Sequence, residues 1–121
     1  AILRDHPEHS PRATALLERI ADGGSAAHVT TAVFFEVAFV LLRRPGANRG
    51  NVMSALESLL AIDGLRFDER PTLRRTIALA GEHGVPLVDA YQVAAMEARG
   101  NSTIISFDRH FDRFPGIERR E

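Results

Sequence analysis

The 121-residue chain contains no cysteine and no tryptophan, and its formal net charge is only −1. The absence of cysteine excludes a disulfide framework and thiolate metal sites, and it suits a reducing cytoplasm. The small net charge excludes a strong global field, so binding to nucleic acid would require local basic patches. No apolar run reaches the roughly 18 residues of a membrane span. The apolar stretch at the N-terminus is short, and charged residues follow it directly. We therefore expect no signal peptide and a cytoplasmic protein.

Apolar residues make up 45% of the chain and charged residues 26%, which is typical of a globular protein rather than a disordered one. A chain of this length can bury one core of ordinary size. No linker, repeat or low-complexity segment interrupts it, so we predict a single domain over residues 1–121. Because the chain starts with Ala1 rather than Met, we expect it to begin part-way into a longer protein.

The hydrophobic pattern alternates between helical and extended segments. Ser10 and Pro11 predict a helix start as N-cap and first helical residue, and Pro45 stops a second helix. The predicted helices cover residues 11–21, 31–44, 52–61, 71–83 and 89–99, with a turn or short helix at 108–114. The predicted strands cover residues 25–29, 65–68 and 103–107, with an edge strand near Ile117, and residues 48–51 and 85–88 are predicted as non-helical. This alternation predicts an α/β domain with a mostly parallel sheet.

The run from Thr30 to Leu42 reads TTAVFFEVAFVLL and contains one charged residue, Glu36. A helix through this run would be apolar almost all round, which predicts a buried core helix. An ionised carboxylate buried without a partner is strongly destabilising, so such groups are paired, protonated or bound to metal. We therefore predict a partner for Glu36 elsewhere in the chain.

Three acidic residues fall at the edge where the predicted strands end, namely Glu36, Asp89 and Asp108. Ligands of open α/β sheets bind at that edge. Three carboxylates united there would repel one another unless a cation neutralised them, and oxygen ligands suit Mg²⁺ or Mn²⁺. Such an ion can activate water and neutralise charge on a phosphate. Local roles are also open, because Asp89 suits a helix N-cap and Asp108 suits a turn or cap.

Four segments resemble a PIN-domain ribonuclease, most closely a VapC-type toxin of a bacterial toxin–antitoxin pair. They read DHPEHSPRATALLERI, TTAVFFEVAFVLLRR, GVPLVDAYQVAAMEARG and TIISFDRHFDRFPGI. The last two are the most specific, since one has an Asp that opens an Ala-rich helix and the other a strand that ends in FDRHF. Glu36, Asp89 and Asp108 match three acidic positions of that family.

The resemblance implies a PIN-like three-layer α/β/α fold and an endoribonuclease that uses Mg²⁺ or Mn²⁺ to leave a 5′-phosphate and a 3′-hydroxyl. Glu36, Asp89 and Asp108 would bind the ion and be catalytic, whereas Asp112 would be peripheral. Further residues are candidates for RNA contact, although a solvated surface is the simpler interpretation of the arginines: Ser106, Arg43, Arg44, Arg109 and Arg113.

The partners implied by the resemblance are an RNA substrate, a small antitoxin whose tail covers the acidic site, and a second copy of the chain. The helices at residues 11–21 and 52–61 carry apolar stripes that could form the homodimer interface. Such stripes more often pack inside their own domain.

One feature departs from the family pattern, in which the first strand ends in an Asp. No such segment exists in this sequence, and by resemblance it should lie upstream of Ala1. We favour its omission over its true absence, because the sheet would otherwise have an unfilled slot. Two alternatives stay open: a PIN-like binding module without catalysis, and a purely helical protein in which a core arginine neutralises Glu36.

Overall fold

The computed structural model describes residues 27–121. Short strands and helices alternate in this range, in the order β1 (His28–Val29), α1 (Thr31–Leu42), α2 (Arg49–Leu60), β2 (Arg66–Phe67), α3 (Arg70–His83), α4 (Leu87–Ala98), β3 (Thr103–Ile105), a 3₁₀ helix (Arg109–Arg113) and β4 (Glu118–Arg120). The predicted helix at residues 11–21 and the first two residues of the predicted strand 25–29 lie outside the described residues.

The chain divides into two compact units, Ala1–Glu69 and Arg70–Glu121. Each unit is a mixture of helices and short parallel strands. Strand β1 pairs with β2 in the first unit, and β3 pairs with β4 in the second. The α/β prediction is therefore confirmed, and the purely helical alternative is wrong. The prediction of one domain over residues 1–121 stays a prediction.

Helix α1 begins and ends close to where the sequence pattern predicted. The Thr30 side chain accepts a hydrogen bond from the Val33 amide at 3.2 Å, which is the N-cap interaction expected of threonine. Its apolar residues pack against α2, and Phe34 and Ala38 are completely buried. Glu36 is only partly buried, so the prediction that this carboxylate lies in the core is wrong.

Helix α2 begins three residues earlier than predicted. Asn48 caps it by accepting a hydrogen bond from the Asn51 amide at 3.0 Å. The prediction of a turn over residues 48–51 is therefore wrong, because asparagine is a strong N-cap as well as a turn residue. The apolar stripe of this helix is buried within the chain: Val52, Met53, Leu56, Leu59 and Leu60.

In the second unit, helices α3 and α4 form a hairpin around a buried apolar contact that includes Leu73, Ile77, Ala90 and Val93. Gly84 ends α3 with a φ of 63°, a left-handed conformation that favours glycine. Helix α4 begins at Leu87, with Pro86 as N-cap. The predicted start at Asp89, and its alternative role as N-cap, are therefore wrong.

Strand β3 covers three of the five residues predicted for it, and it pairs in parallel with β4 from Thr103 opposite Glu118 to Ile105 opposite Arg120. The 3₁₀ helix between them confirms the predicted short helix. Phe111 and Phe114 are buried and anchor this segment. No helix within residues 27–121 combines the length and apolarity needed to cross a membrane.

Candidate metal site

Asp89 lies in the first turn of α4, and its side chain is only 12% exposed. An acidic side chain is stabilised in a first turn, because the unpaired amides of a helix N-terminus carry partial positive charge. Residues close to Asp89 in the sequence are also buried, namely Val85, Leu87 and Ala90. The packing of α4 therefore holds one carboxylate in a largely dehydrated position.

Asp108 lies just beyond the end of β3 and caps the 3₁₀ helix. Its Oδ1 accepts a hydrogen bond from the His110 amide at 2.9 Å, and its own amide donates to Ser106 Oγ at 3.0 Å. The alternative interpretation of Asp108 as a cap is thus confirmed. Capping uses one oxygen of the carboxylate, and the side chain remains 43% exposed. A cap and a metal ligand are therefore compatible roles here.

His110 brings these two acids together. Its Nδ1 lies 2.8 Å from Asp89 Oδ2 and 3.0 Å from Asp108 Oδ1. An ionised carboxylate can only accept, so in these contacts the ring donates a proton from Nδ1. The sequence reasoning missed His110, although its position two residues after Asp108 in the motif FDRHF was a usable signal.

The three side chains form a donor set that fits a divalent ion. One ligand atom from each of Asp89, Asp108 and His110 lies within 4.8 Å of the other two. Two carboxylates supply negative charge and oxygen ligands, and a neutral imidazole supplies a nitrogen ligand. These three side chains are therefore a candidate metal site within the second unit.

Glu36 belongs to the first unit, in the second turn of α1. Within residues 27–69 the structure records no hydrogen bond or ion pair for its carboxylate. Its assignment to a shared site with Asp89 and Asp108 therefore stays a prediction, as do the catalytic roles of all three acids.

The predicted RNA contacts have defined local roles. The Ser106 hydroxyl accepts a hydrogen bond from the Asp108 amide, and it therefore helps to orient the end of β3. Arg113 donates to the carbonyl oxygen of Gly84 at 3.2 Å, which links the 3₁₀ helix to the loop before α4. Arg109 is exposed beside Asp108. Their role in binding RNA stays a prediction.

Arg119 on β4 holds the segment that carries Asp108 and His110. It donates from Nε to Asp112 Oδ1 at 2.8 Å and from Nη1 to the Ser106 carbonyl oxygen at 3.2 Å. The hydrogen bond from Arg119 holds the pKa of the Asp112 carboxyl below its ordinary value. The hydrogen bonds that Arg119 donates to Asp112 and Glu121 in turn raise the pKa of Arg119. Asp112 is therefore occupied by an ion pair, and its peripheral place stays a prediction.

Comparison with models of known protein families matches residues 1–117 to the PIN domain. The match spans both acidic residues and the histidine described above. A search among curated proteins returned no match.

Proposed function

Because this chain belongs to the PIN-domain family, whose members are generally metal-dependent nucleases, we propose that it is a metal-dependent endoribonuclease. The observation that carries the proposal is the convergence of Asp89 and Asp108 on the His110 ring. Two carboxylates from separate segments approach each other closely there, and a divalent ion would neutralise them. The proposed ion is Mg²⁺ or Mn²⁺, and the proposed substrate is single-stranded or looped RNA, whose bases and backbone are accessible.

Each residue has a distinct task in the proposed reaction. Asp89, Asp108 and, in our proposal, Glu36 bind the ion through carboxylate oxygens. The ion, when bound, supplies an activated water and neutralises charge that develops on the phosphate. The Ser106 hydroxyl can donate a hydrogen bond to a phosphate oxygen, and the exposed guanidinium of Arg109 can contact a second one. The products are a 5′-phosphate and a 3′-hydroxyl.

The direct test compares RNA cleavage by the full-length protein and by its Asp108→Asn variant, with Mg²⁺ or Mn²⁺ present. Asparagine keeps the size and can still cap the 3₁₀ helix, but it removes the negative charge. We expect cleavage to fall by about 100-fold or more, the loss typical when a group that stabilises charge in the transition state is removed. Asp63→Asn is the matched control, because Asp63 is an exposed acid of the first unit. Equal activity in wild type and Asp108→Asn would refute the assigned role.

The proposed biological role is that of the toxin in a type II toxin–antitoxin pair. Two exposed apolar side chains flank Ser106, since Ile105 is 81% exposed and Phe107 is 82% exposed. Large apolar groups so fully exposed beside an acidic site suit a protein partner that covers the site. An antitoxin tail carrying a basic residue would complement both features. We also propose a homodimer, although the apolar stripe of α2 is buried within its own chain and contributes little exposed surface to one.

A PIN-like binding module without catalysis is the second candidate. Asp108 caps the 3₁₀ helix and contacts His110, and Asp112 forms an ion pair with Arg119. These interactions account for both carboxylates without a metal ion, which favours this second candidate. It predicts no metal-dependent cleavage even by the full-length protein, so the comparison with Asp108→Asn distinguishes the two functions.

A further inference from the structure

We propose that His110 is a direct ligand of the divalent ion and gives the site a preference for transition ions such as Mn²⁺ over Mg²⁺. The inference rests on the metal site of the proposed function, but it concerns a residue outside the predicted acidic set.

The distances fit neighbouring ligands of one octahedral ion. With metal–ligand bonds of about 2.1 Å, neighbouring ligand atoms of an octahedron lie about 3.0 Å apart and opposite ones about 4.2 Å apart. Nδ1 of His110 lies 2.8 Å from Asp89 Oδ2 and 3.0 Å from Asp108 Oδ1. One ligand atom from each of the three side chains lies within 4.8 Å of the other two. The side chains therefore need little rearrangement to share an ion.

The other histidine–aspartate pair of the described residues shows what an ordinary contact looks like. His28 Nε2 lies 2.6 Å from Asp68 Oδ1, and the two side chains are 54% and 51% exposed. His28 therefore contacts a single carboxylate, and both side chains of the pair are exposed to solvent. His110 meets two carboxylates from different segments, and one of them, Asp89, is largely dehydrated. The two carboxylates repel each other. Their approach to one nitrogen atom is therefore stronger evidence for a cation site than a single exposed histidine–aspartate pair would be.

A nitrogen ligand changes which ion binds best. Mg²⁺ prefers oxygen ligands and retains its waters, whereas imidazole is a good ligand for first-row transition ions. Ligation would replace the Nδ1 proton: the neutral ring would then carry its proton on Nε2, and the Nδ1 lone pair would face the ion. Replacing the nitrogen should therefore weaken Mn²⁺ binding more than Mg²⁺ binding.

Pulsed electron paramagnetic resonance of Mn²⁺ added to the chain tests nitrogen ligation directly. We expect coupling between the ion and one ¹⁴N nucleus in wild type and its loss in His110→Gln. His28→Gln is the matched control and should retain the coupling, because it removes a histidine that contacts one exposed aspartate. Circular dichroism of each variant checks that the fold is kept.

Titration calorimetry tests the preference. We expect His110→Gln to lower Mn²⁺ affinity by about 10-fold or more, comparable with the loss of a group that supports a metal site, and to lower Mg²⁺ affinity by less. A Mn²⁺-loaded wild type without ¹⁴N coupling, or equal losses for both ions, would overturn the proposal. Absence of Mn²⁺ binding would overturn it too.

Failure of this inference and failure of the proposed function are distinguishable. If Asp108 is needed for RNA cleavage but Mn²⁺ shows no nitrogen coupling, the nuclease stands and His110 is only a hydrogen-bonding partner. If Mn²⁺ shows the coupling but wild type does not cleave RNA, the ligand assignment stands and the nuclease does not.

Discussion

Arg119 stabilises the segment that carries Asp108 and His110 without hydrogen bonding to either of these two side chains. Its side chain is only 13% exposed and joins the end of β3, through the Ser106 carbonyl, to Asp112 in the 3₁₀ helix. Asp108 and His110 lie between these two attachment points in the sequence. The planar guanidinium donates to both oxygens of Asp112, a geometry that lysine cannot reproduce.

The Asp112–Arg119 pair predicts a pH-dependent contribution to stability. Because the folded-state pKa of Asp112 is lowered from its usual 3.8, the contribution is present above that value and is lost as the pH falls through the folded pKa. Asp112→Asn should therefore be less stable than wild type at neutral pH, and the difference should vanish in strong acid. Urea unfolding midpoints measured from pH 7 downward check this.

Asp63→Asn serves as the control for this acid titration, since Asp63 is exposed and has no partner of this kind among the described residues. The effect at Asp112 should be small, because exposed ion pairs contribute little to stability. A difference between Asp112→Asn and wild type that grows as the pH falls would contradict the assignment.

At the scale of elements, the α3–α4 hairpin carries Asp89, and apolar packing holds it together more than ion pairs do. Arg75 and Glu97 join the two helices with a contact of 3.0 Å, but 48% and 40% of their side chains are exposed. Such a pair contributes about 0–1 kcal/mol. Leu73 is completely buried, and truncation of a buried leucine destabilises by about 2–5 kcal/mol.

Leu73→Ala should accordingly lower the free energy of unfolding by about 2–5 kcal/mol, because it leaves a cavity in the hairpin. Chemical denaturation followed by circular dichroism measures the change. Arg74→Ala, at the exposed neighbouring position, should change stability by less than about 0.5 kcal/mol. Similar losses in the two variants would show that burial at Leu73 does not stabilise the hairpin.

At the scale of the whole molecule, a net charge of −1 and the exposed Phe107 suggest that partners are selected by local patches. In our proposal, an antitoxin covers Phe107 and the acidic site together. Phe107→Ser should weaken binding of the proposed antitoxin by about 10-fold, since buried aromatic anchors dominate interface energies. Binding measured by surface plasmon resonance tests this prediction.

Ile62→Ser provides the matched control for the antitoxin measurement, because Ile62 is an exposed apolar residue of the other unit, 39% accessible. Its affinity should equal that of wild type. If Phe107→Ser also binds like wild type, the antitoxin does not cover this end of β3.

Much of the local structure could be predicted from short-range signals. Thr30 caps helix α1, and the helix ends at Leu42, shortly before Pro45. Both features depend only on residues within one or two helical turns, so they can be predicted from the sequence alone. Asn48 and Asp89 show the limit of such signals. Asparagine suits both turns and caps, and an acid suits both the N-cap and the first turn, so the exact helix starts depended on packing.

The sequence by itself determined the acidic character of the end of β3, the alternation of helices with short strands, and the likeness to PIN domains. Only the tertiary structure decided that Asp89 meets Asp108 at His110, because a contact across 21 residues depends on how α4 and the buried Phe111 pack. It also decided that Glu36 is partly exposed. Burial is a property of what surrounds a helix, and a helix's own residues specify only which face is apolar.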